Sequence, residues 1–269
     1  MSSDILDVDL LAFEQGDADT RAAVVDGVMR SLRTGFVYTG HDLAESMLDE
    51  TYGLLEKFFH LDQEDKARYH VPDGFGQTGY TGLLVETAAT ADVADWKEMI
   101  NYGRSVPEAH PLRRKFPRAY LDPVLPDHDF TGASDLLLEF HDRVFDIQRR
   151  FMRIIAVGLG CHEDFFETML EDGPTLTRAI RYPAMEKAPG GGHVWAAEHG
   201  DINLITALPR ATASGLQVKT DTGWVDAAPP DGHMISNTGM MLEHITNGLI
   251  PSGIHQVVAE EGQVGERLS

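Results

Sequence analysis

The stretch Glu198-His199-Gly200-Asp201-Ile202-Asn203 decides how this chain is read. In an extended strand residues i and i+2 point to the same face, so His199 and Asp201 set an imidazole beside a carboxylate. Those are two ligands of a three-ligand metal set. A second histidine from a strand folded back alongside would complete the 2-His-1-carboxylate arrangement, which holds Fe(II) on one face and leaves the other positions open. A lone His-x-Asp also arises by chance, so the rest of the sequence has to supply the partner.

Three downstream histidines are candidates. His233 follows Pro229-Pro230-Asp231-Gly232 at a turn, and His244 lies in a helix-like segment from Gly239 to Ile245. His255 stands in Ser252-Gly253-Ile254-His255-Gln256-Val257-Val258, an apolar strand after the turn Thr246-Asn247-Gly248, where buried neighbours would hold a ligand rigidly. Beyond it, Arg267 and Ser269 form an Arg-x-Ser pair on one strand face. A guanidinium and a hydroxyl converging in an apolar interior need an anionic partner, and a carboxylate fits. Upstream of His199 the same strand face would carry Ala197, Trp195 and His193, placing Trp195 and His193 beside the metal. They read equally well as a core tryptophan and a rim histidine. Pro189-Gly190-Gly191-Gly192, just before them, reads as a mobile loop or a turn.

The whole chain frames this region. At 269 residues and 42% hydrophobic it can bury a full core, and a single domain over 1–269 is expected. The formal charge of −21 argues against nucleic acid and anionic membranes as partners. The single cysteine, Cys161, excludes an internal disulfide and a cysteine-based zinc site. Neither a secretory signal nor a membrane-spanning apolar run is visible, so a cytoplasmic protein, monomeric or weakly homo-oligomeric, is expected.

Taken in order, Ile5 to Leu11 alternates apolar and acidic residues as an edge strand, and Asp17 to Thr34 has helical spacing with Gly35 as its C-terminal cap. Phe36-Val37-Tyr38 reads as a strand. His41 to His60 reads as an amphipathic helix, and a short helix follows, capped by Asp62. Val71 to Gly82, rich in glycine and aromatics, reads as a loop approaching something closely. Trp96 to Tyr102 is a candidate strand in spite of its charges, and Pro107 to Pro126 is irregular. Ala133 to Gly158 carries the longest helical pattern, with a broad apolar stripe suited to backing a sheet, and His162 to Leu170 adds a short helix. From Leu176 onward, short apolar runs broken by glycine and proline predict an antiparallel sandwich or barrel. The layout is therefore helix-rich over 1–172 and β-rich over 173–269.

With these pieces in order the sequence resembles a family, the isopenicillin N synthase-like branch of the Fe(II)/2-oxoglutarate-dependent oxygenases. The resemblance runs through Thr34-Gly35-Phe36-Val37-Tyr38, His60-Leu61 with Lys66-Ala67-Arg68, Gly79-Tyr80 and Arg181-Tyr182-Pro183. Its most specific part is His199-x-Asp201, Gly215-Leu216-Gln217-Val218, Gly223-Trp224, Asn237-Thr238-Gly239, Thr246-Asn247-Gly248, His255-x-Val257 and Arg267-x-Ser269. It implies an α+β fold, a double-stranded β-helix (jelly-roll, cupin-like) core with N-terminal helices packed outside. It makes His199, Asp201 and His255 the iron ligands, and matches Arg267, Ser269 and Tyr182 to the residues that bind the far carboxylate of 2-oxoglutarate. Three positions depart from the pattern. Gln256 stands where the family usually has arginine, Ile180 where asparagine is frequent, and relatives continue beyond the position of Ser269 with an apolar strand and a helix, so a C-terminal tail is expected to be lacking here.

The resemblance implies a dioxygenase that uses Fe(II), O2 and 2-oxoglutarate to oxidise a small-molecule metabolite, by default through hydroxylation, with release of succinate and CO2. Two other readings stay open. One is a 2-oxoglutarate-independent iron oxidase of the isopenicillin N synthase or aminocyclopropane-carboxylate oxidase type, because the former uses Arg-x-Ser for its own substrate's carboxylate. The other is a non-enzymatic barrel that binds a small acid. Candidate substrate contacts are Tyr80, Gly82, Leu83, His193 and Trp195. Arg104, Arg113 and Arg118 are candidate anchors for an acidic substrate, or else solvated surface cations.

Overall fold

The computed structural model describes residues 5–89, 91–189, 192–260, 263 and 265–269. Gly190 and Gly191 of the glycine run before the strand of His199 lie outside the described residues. The chain opens with strand β1 (Asp7–Asp9) and turns at once into helix α1 (Leu10–Gln15). The edge strand expected as far as Leu11 is cut short because the Asp9 carboxylate accepts the Leu11 N–H and caps the helix, burying Leu10 and Phe13. Helix α2 (Ala18–Ser31) starts the same way, with the Asp17 carboxylate bonded to the Thr20 N–H. Gly35 follows at a φ of 79°, and a Cβ there would lie 2.4 Å from the Cα of Gly253, so this close crossing of two backbones requires glycine.

Strand β2 (Phe36–Gly40) is wholly buried. Helix α3 (Glu45–Phe59) begins later than expected, because the His41 ring accepts the Leu43 N–H and holds the chain in a turn. It buries Leu48, Tyr52, Leu55 and Phe59, a three-to-four spacing that forms one stripe. Asp62 does precede helix α4 (Gln63–Ala67), but its side chain makes no capping bond. Strands β3 (Gly79–Thr81) and β4 (Glu98–Tyr102) follow, then helix α5 (Pro111–Lys115) within the otherwise irregular stretch. Helix α6 (Ala133–Gly158) matches its predicted bounds, whereas the short helix after it, α7 (Glu167–Leu170), covers only the end of its predicted range.

The remaining chain is β-rich: β5 (Thr177–Tyr182), β6 (Ala196–Gly200), β7 (Ile205–Leu208), β8 (Leu216–Thr220), β9 (Gly223–Asp226), β10 (His233–Thr238), helix α8 (Met240–Ile245), β11 (Ile254–Val257) and β12 (Arg267–Leu268). The described strands form three sheets, ordered β1-β2-β10-β7, β6-β11-β8-β9 and β12-β5-β4-β3, and among them no barrel closes. Every pairing among the described strands is antiparallel except β1 with β2. Sheets are therefore not confined to the second half, since β2 pairs with β10 and β4 with β5.

Alternation along the strands divides the core in two. Val37, Ile100, Ala179, Met234 and Leu268 join the helix-side cluster with Leu137, Phe140, Val144 and Ile155 of α6. Their strand neighbours Phe36, Tyr38, Tyr182 and Ile235 join Trp195, Leu216, Val218 and Val257 in a second cluster drawn from all three sheets. On the helix side a buried ion network ties the layers together. Glu98, 0% exposed, takes the Lys66 ammonium at 2.7 Å, the Arg181 guanidinium at 2.6 Å and the Tyr80 hydroxyl, and Arg181 continues to Glu266 at 2.6 Å. Within this network each buried charge has an opposite neighbour, which its desolvation requires.

Candidate active site

The strands β6 and β11 lie side by side, and His199 is the direct partner of His255. Their ring centroids are 4.3 Å apart, and His255 also pairs with Val218 of the inter-sheet core, so both imidazoles face inward. Asp201 follows where β6 ends, its Oδ1 3.9 Å from Nε2 of His199. One ligand atom from each of the three lies within 4.8 Å of the others. The three residues are half-buried.

Hydrogen bonds set which imidazole nitrogens face the cluster. Nδ1 of His199 lies 2.7 Å from the Ala197 carbonyl oxygen, and Nδ1 of His255 lies 3.1 Å from that of Gly253. A carbonyl only accepts, so each Nδ1 carries the proton and each Nε2 keeps a free lone pair. Burial pushes the His255 pKa down, against the pull of Asp201, and so favours the neutral ring that a metal ligand needs. Burial also opposes the charge on Asp201, but His255 and the donors Thr206 and Asn237 outweigh it and hold the carboxyl below its ordinary value. The edge of Phe36 packs on His255 at 5.9 Å. Behind β11, the Gly253 N–H donates to the Thr238 carbonyl, so the close crossing at Gly35 and the Asn237-Thr238-Gly239 run together fix His255.

Arg267 is the direct partner of Tyr182 across β12 and β5, so it too points inward. It is 1% exposed, its Nε donates to the Ala213 carbonyl at 3.1 Å, and its guanidinium carbon lies 5.2 Å from the centre of the Tyr182 ring. Its Nη1 is buried with no hydrogen-bond partner among the described residues. Burial pushes its pKa down, with Tyr182 and Tyr52 opposing. Such a group is set to receive an anion. Ser269 continues the strand, exchanging both backbone hydrogen bonds with Ile180.

Other expected contacts are placed elsewhere. Trp195 is 0% exposed, its indole N–H donates to the Pro183 carbonyl at 2.9 Å and its ring packs on Tyr182, so it is a core residue and does not line open space. Trp195 joins the inter-sheet cluster with Val218 and Val257 beside His255, as the core tryptophan that the sequence also allowed, and between it and His199 the strand bulges, taking three steps, Ala196 to His199, where β11 takes two, His255 to Val257. The ring of His193 is bonded to the Ala94 carbonyl. The Tyr80 hydroxyl is committed to Glu98 and Gln63, on the helix side of the sheet, with half-buried Gly82 nearby. Leu83 alone of the loop candidates packs on the inter-sheet cluster. Arg104 pairs with Asp142, Arg113 with Asp122, and Arg118 covers the ring of Phe75, so all three are surface cations with local partners.

Sequence reasoning missed two groups. Asp95, 3% exposed, accepts the Ala197 N–H and pairs with Lys97, buttressing the strand of His199 from behind. The signal was present in the charges beside Trp96. Thr206 and Asn237 both donate to Asp201; Thr206 carried no mark of it, and Asn237 stood out only within the Asn237-Thr238-Gly239 run, without this role.

With this geometry in hand, comparison with known proteins is specific. Residues 4–123 match the family described as non-haem dioxygenase in morphine synthesis N-terminal, and residues 175–269 match the 2OG-Fe(II) oxygenase superfamily. A probable iron/ascorbate oxidoreductase of Dictyostelium discoideum is 30% identical over 245 residues, covering 83% of this chain and 67% of that protein. Isopenicillin N synthase of Streptomyces griseus is 24% identical over 269 residues, covering 93% and 78%. Among solved structures, a full-length Neurospora crassa protein in complex with alpha-KG (2-oxoglutarate) superposes with a TM-score of 0.83 at 25% identity, over 100% of this chain and 84% of that one. A putative 2OG-Fe(II) oxygenase family protein from Caulobacter crescentus gives 0.82 at 29% identity, over 98% and 85%. These neighbours identify the stacked sheets as the expected jelly roll with helices outside.

Proposed function

The chain belongs to the 2OG-Fe(II) oxygenase superfamily, and from that premise we propose that it hydroxylates a small-molecule metabolite with His199, Asp201 and His255 as its iron ligands and Arg267, Ser269 and Tyr182 as the seat of 2-oxoglutarate. The observation that carries this reading is the meeting of two imidazoles and one carboxylate, with one ligand atom from each within 4.8 Å of the others. The donor set fits Fe(II), since two neutral imidazoles and one carboxylate are the ligands of the facial triad. The orphaned Nη1 of Arg267 fits the far carboxylate of the keto acid, which would supply its missing acceptor.

When bound, iron, O2 and 2-oxoglutarate supply the oxidising power, the keto acid leaving as succinate and CO2. The chain's own residues bind and orient. His199 and His255 present Nε2 while their Nδ1 protons stay on backbone carbonyls, and Asp201 contributes the single negative charge. Arg267 and Ser269 hold one end of the co-substrate, so its other end is delivered in a fixed direction. Phe36, Val218 and Trp195, all 0–1% exposed, back the site with apolar packing and keep water off that side. Leu83 is the candidate contact to substrate that this packing supports best.

The likeness to isopenicillin N synthase keeps a second reading in view, in which Arg267 would seat the substrate's own carboxylate and no keto acid would be consumed. Candidate metabolites offered with Fe(II) and 2-oxoglutarate under air distinguish the two. Product formed with one succinate per turnover, lost in His199→Ala, is the expected result. Product without succinate would move the assignment to the oxidase. The formal charge of −21 speaks against a nucleic-acid partner, the lone Cys161 suits a cytoplasmic setting, and no described helix is long and apolar enough to cross a membrane.

A further inference from the structure

Asp201 is held by more than its strand. Thr206 and Asn237 are direct partners across β7 and β10, and both donate to the same oxygen of Asp201, Oδ2, Asn237 at 2.9 Å. Asn203 fixes the direction of the threonine proton. Its amide N–H donates to Thr206 Oγ1 at 2.9 Å, so the single hydroxyl hydrogen of Thr206 turns to Asp201. The Asn203 turn reaches this position because residue 239 is glycine, where a Cβ would lie 2.2 Å from the Asn203 carbonyl oxygen. The turn is pinned further by the Met240 N–H on the Asp201 carbonyl and the Met241 N–H on that of Asn203.

We infer that Thr206 and Asn237 are positioning residues that ration Asp201 to one metal-ligating oxygen. A carboxylate oxygen that accepts two hydrogen bonds has spent both in-plane lone pairs, so Oδ2 is closed and Oδ1, the atom facing His199, is the one left. A carboxylate free to bind through both oxygens would give the chain four donor atoms instead of three. In a six-coordinate site that removes one of the positions that co-substrate and O2 need. The inference rests on the reading of Asp201 as a ligand, and it adds why this chain surrounds that aspartate with two uncharged donors.

The test uses Co(II) as the probe metal and calorimetry on the full chain. Thr206→Val removes the hydroxyl at nearly constant shape at a half-buried site, and Thr206→Ser restores it. The variant is expected to bind Co(II) within about threefold of wild type, while 2-oxoglutarate binding to the Co(II)-loaded protein weakens about tenfold, a shift of roughly 1.4 kcal/mol. Thr206→Ser should recover wild-type affinity for both. If Thr206→Val instead weakens Co(II) binding and leaves 2-oxoglutarate binding to the loaded protein intact, the hydroxyl only orients the ligand and the rationing is wrong. Unchanged affinity for both would overturn it as well. Asp201→Ala is measured alongside, and Co(II) affinity unaltered by that change would sink the ligand assignment itself.

Discussion

His199 and His255, far apart in the chain, are direct partners across β6 and β11, with ring centroids 4.3 Å apart and both Nδ1 atoms on backbone carbonyls. The site is thereby built from a sheet register, which a one-residue slip would destroy by turning one imidazole to the opposite face. The shared direction of both rings needs no other side chain. What the sheet cannot provide is charge balance, and that comes from Asp201 and Arg267.

Arg267 is expected to matter for binding and not for folding. Its Nη1 is buried and unpaired among the described residues, so Arg267→Met should leave the melting temperature of the metal-free, ligand-free protein unchanged or raised. Saturating 2-oxoglutarate with metal should raise the melting temperature of wild type and not of the variant. The affinity for 2-oxoglutarate should fall by at least about thirtyfold, as when one partner of a buried charge pair costs roughly 2 kcal/mol or more. A variant that melts much lower while binding the keto acid normally would assign Arg267 to structure.

Glu266 should act on the same affinity from a distance. It anchors the short strand β12 through Arg181, whose other nitrogen stays on Glu98. Glu266→Gln keeps the shape and weakens the anchor, so 2-oxoglutarate binding should drop about fivefold, the equivalent of about 1 kcal/mol, with metal affinity unchanged. Equal losses in metal and keto-acid affinity, measured by calorimetry, would contradict the placement of this anchor.

A pH dependence of stability should trace to His141. Its Nδ1 and Nε2 lie 2.9 and 3.2 Å from the hydroxyls of Thr177 and Thr175, and burial pushes its pKa below the ordinary 6.5, with Asp142 pulling the other way. As the pH falls below 6.5 the unfolded chain takes up this proton first, so it binds more protons than the folded one. The contribution is complete above 6.5 and is lost as the pH drops through the folded value. Urea unfolding should therefore give lower stability at about pH 5.5 than at about pH 7.5, and His141→Gln should narrow that gap. An identical gap in the variant would count against it.

Much of this site was legible because it rests on strand alternation and on charged residues that stand out. His199, Asp201, His255 and Arg267 each sit on a short strand or at its end, and the face rule carried them together. The same rule set Trp195 on the inner side but could not tell its full burial from a place beside open space, and it failed for Leu11, where the Asp9 cap starts a helix. The ion network was beyond reach for a different reason. Lys66, Glu98, Arg181 and Glu266 come from four distant segments, and each alone reads as a surface charge. The hydroxyl and amide on Asp201 are still harder to see, since Thr206 reads as an ordinary strand residue and the Asn237-Thr238-Gly239 run does not show what Asn237 touches until β7 and β10 are paired.

The central claim is that His199, Asp201 and His255 hold one iron. Anaerobic titration of Fe(II) into the full chain, followed by calorimetry, tests it without any knowledge of the substrate. Wild type is expected to take up one Fe(II) per chain, and His199→Ala, Asp201→Ala and His255→Ala should each lose that uptake while keeping the fold by circular dichroism. Undiminished one-to-one binding in all three folded variants would contradict the account.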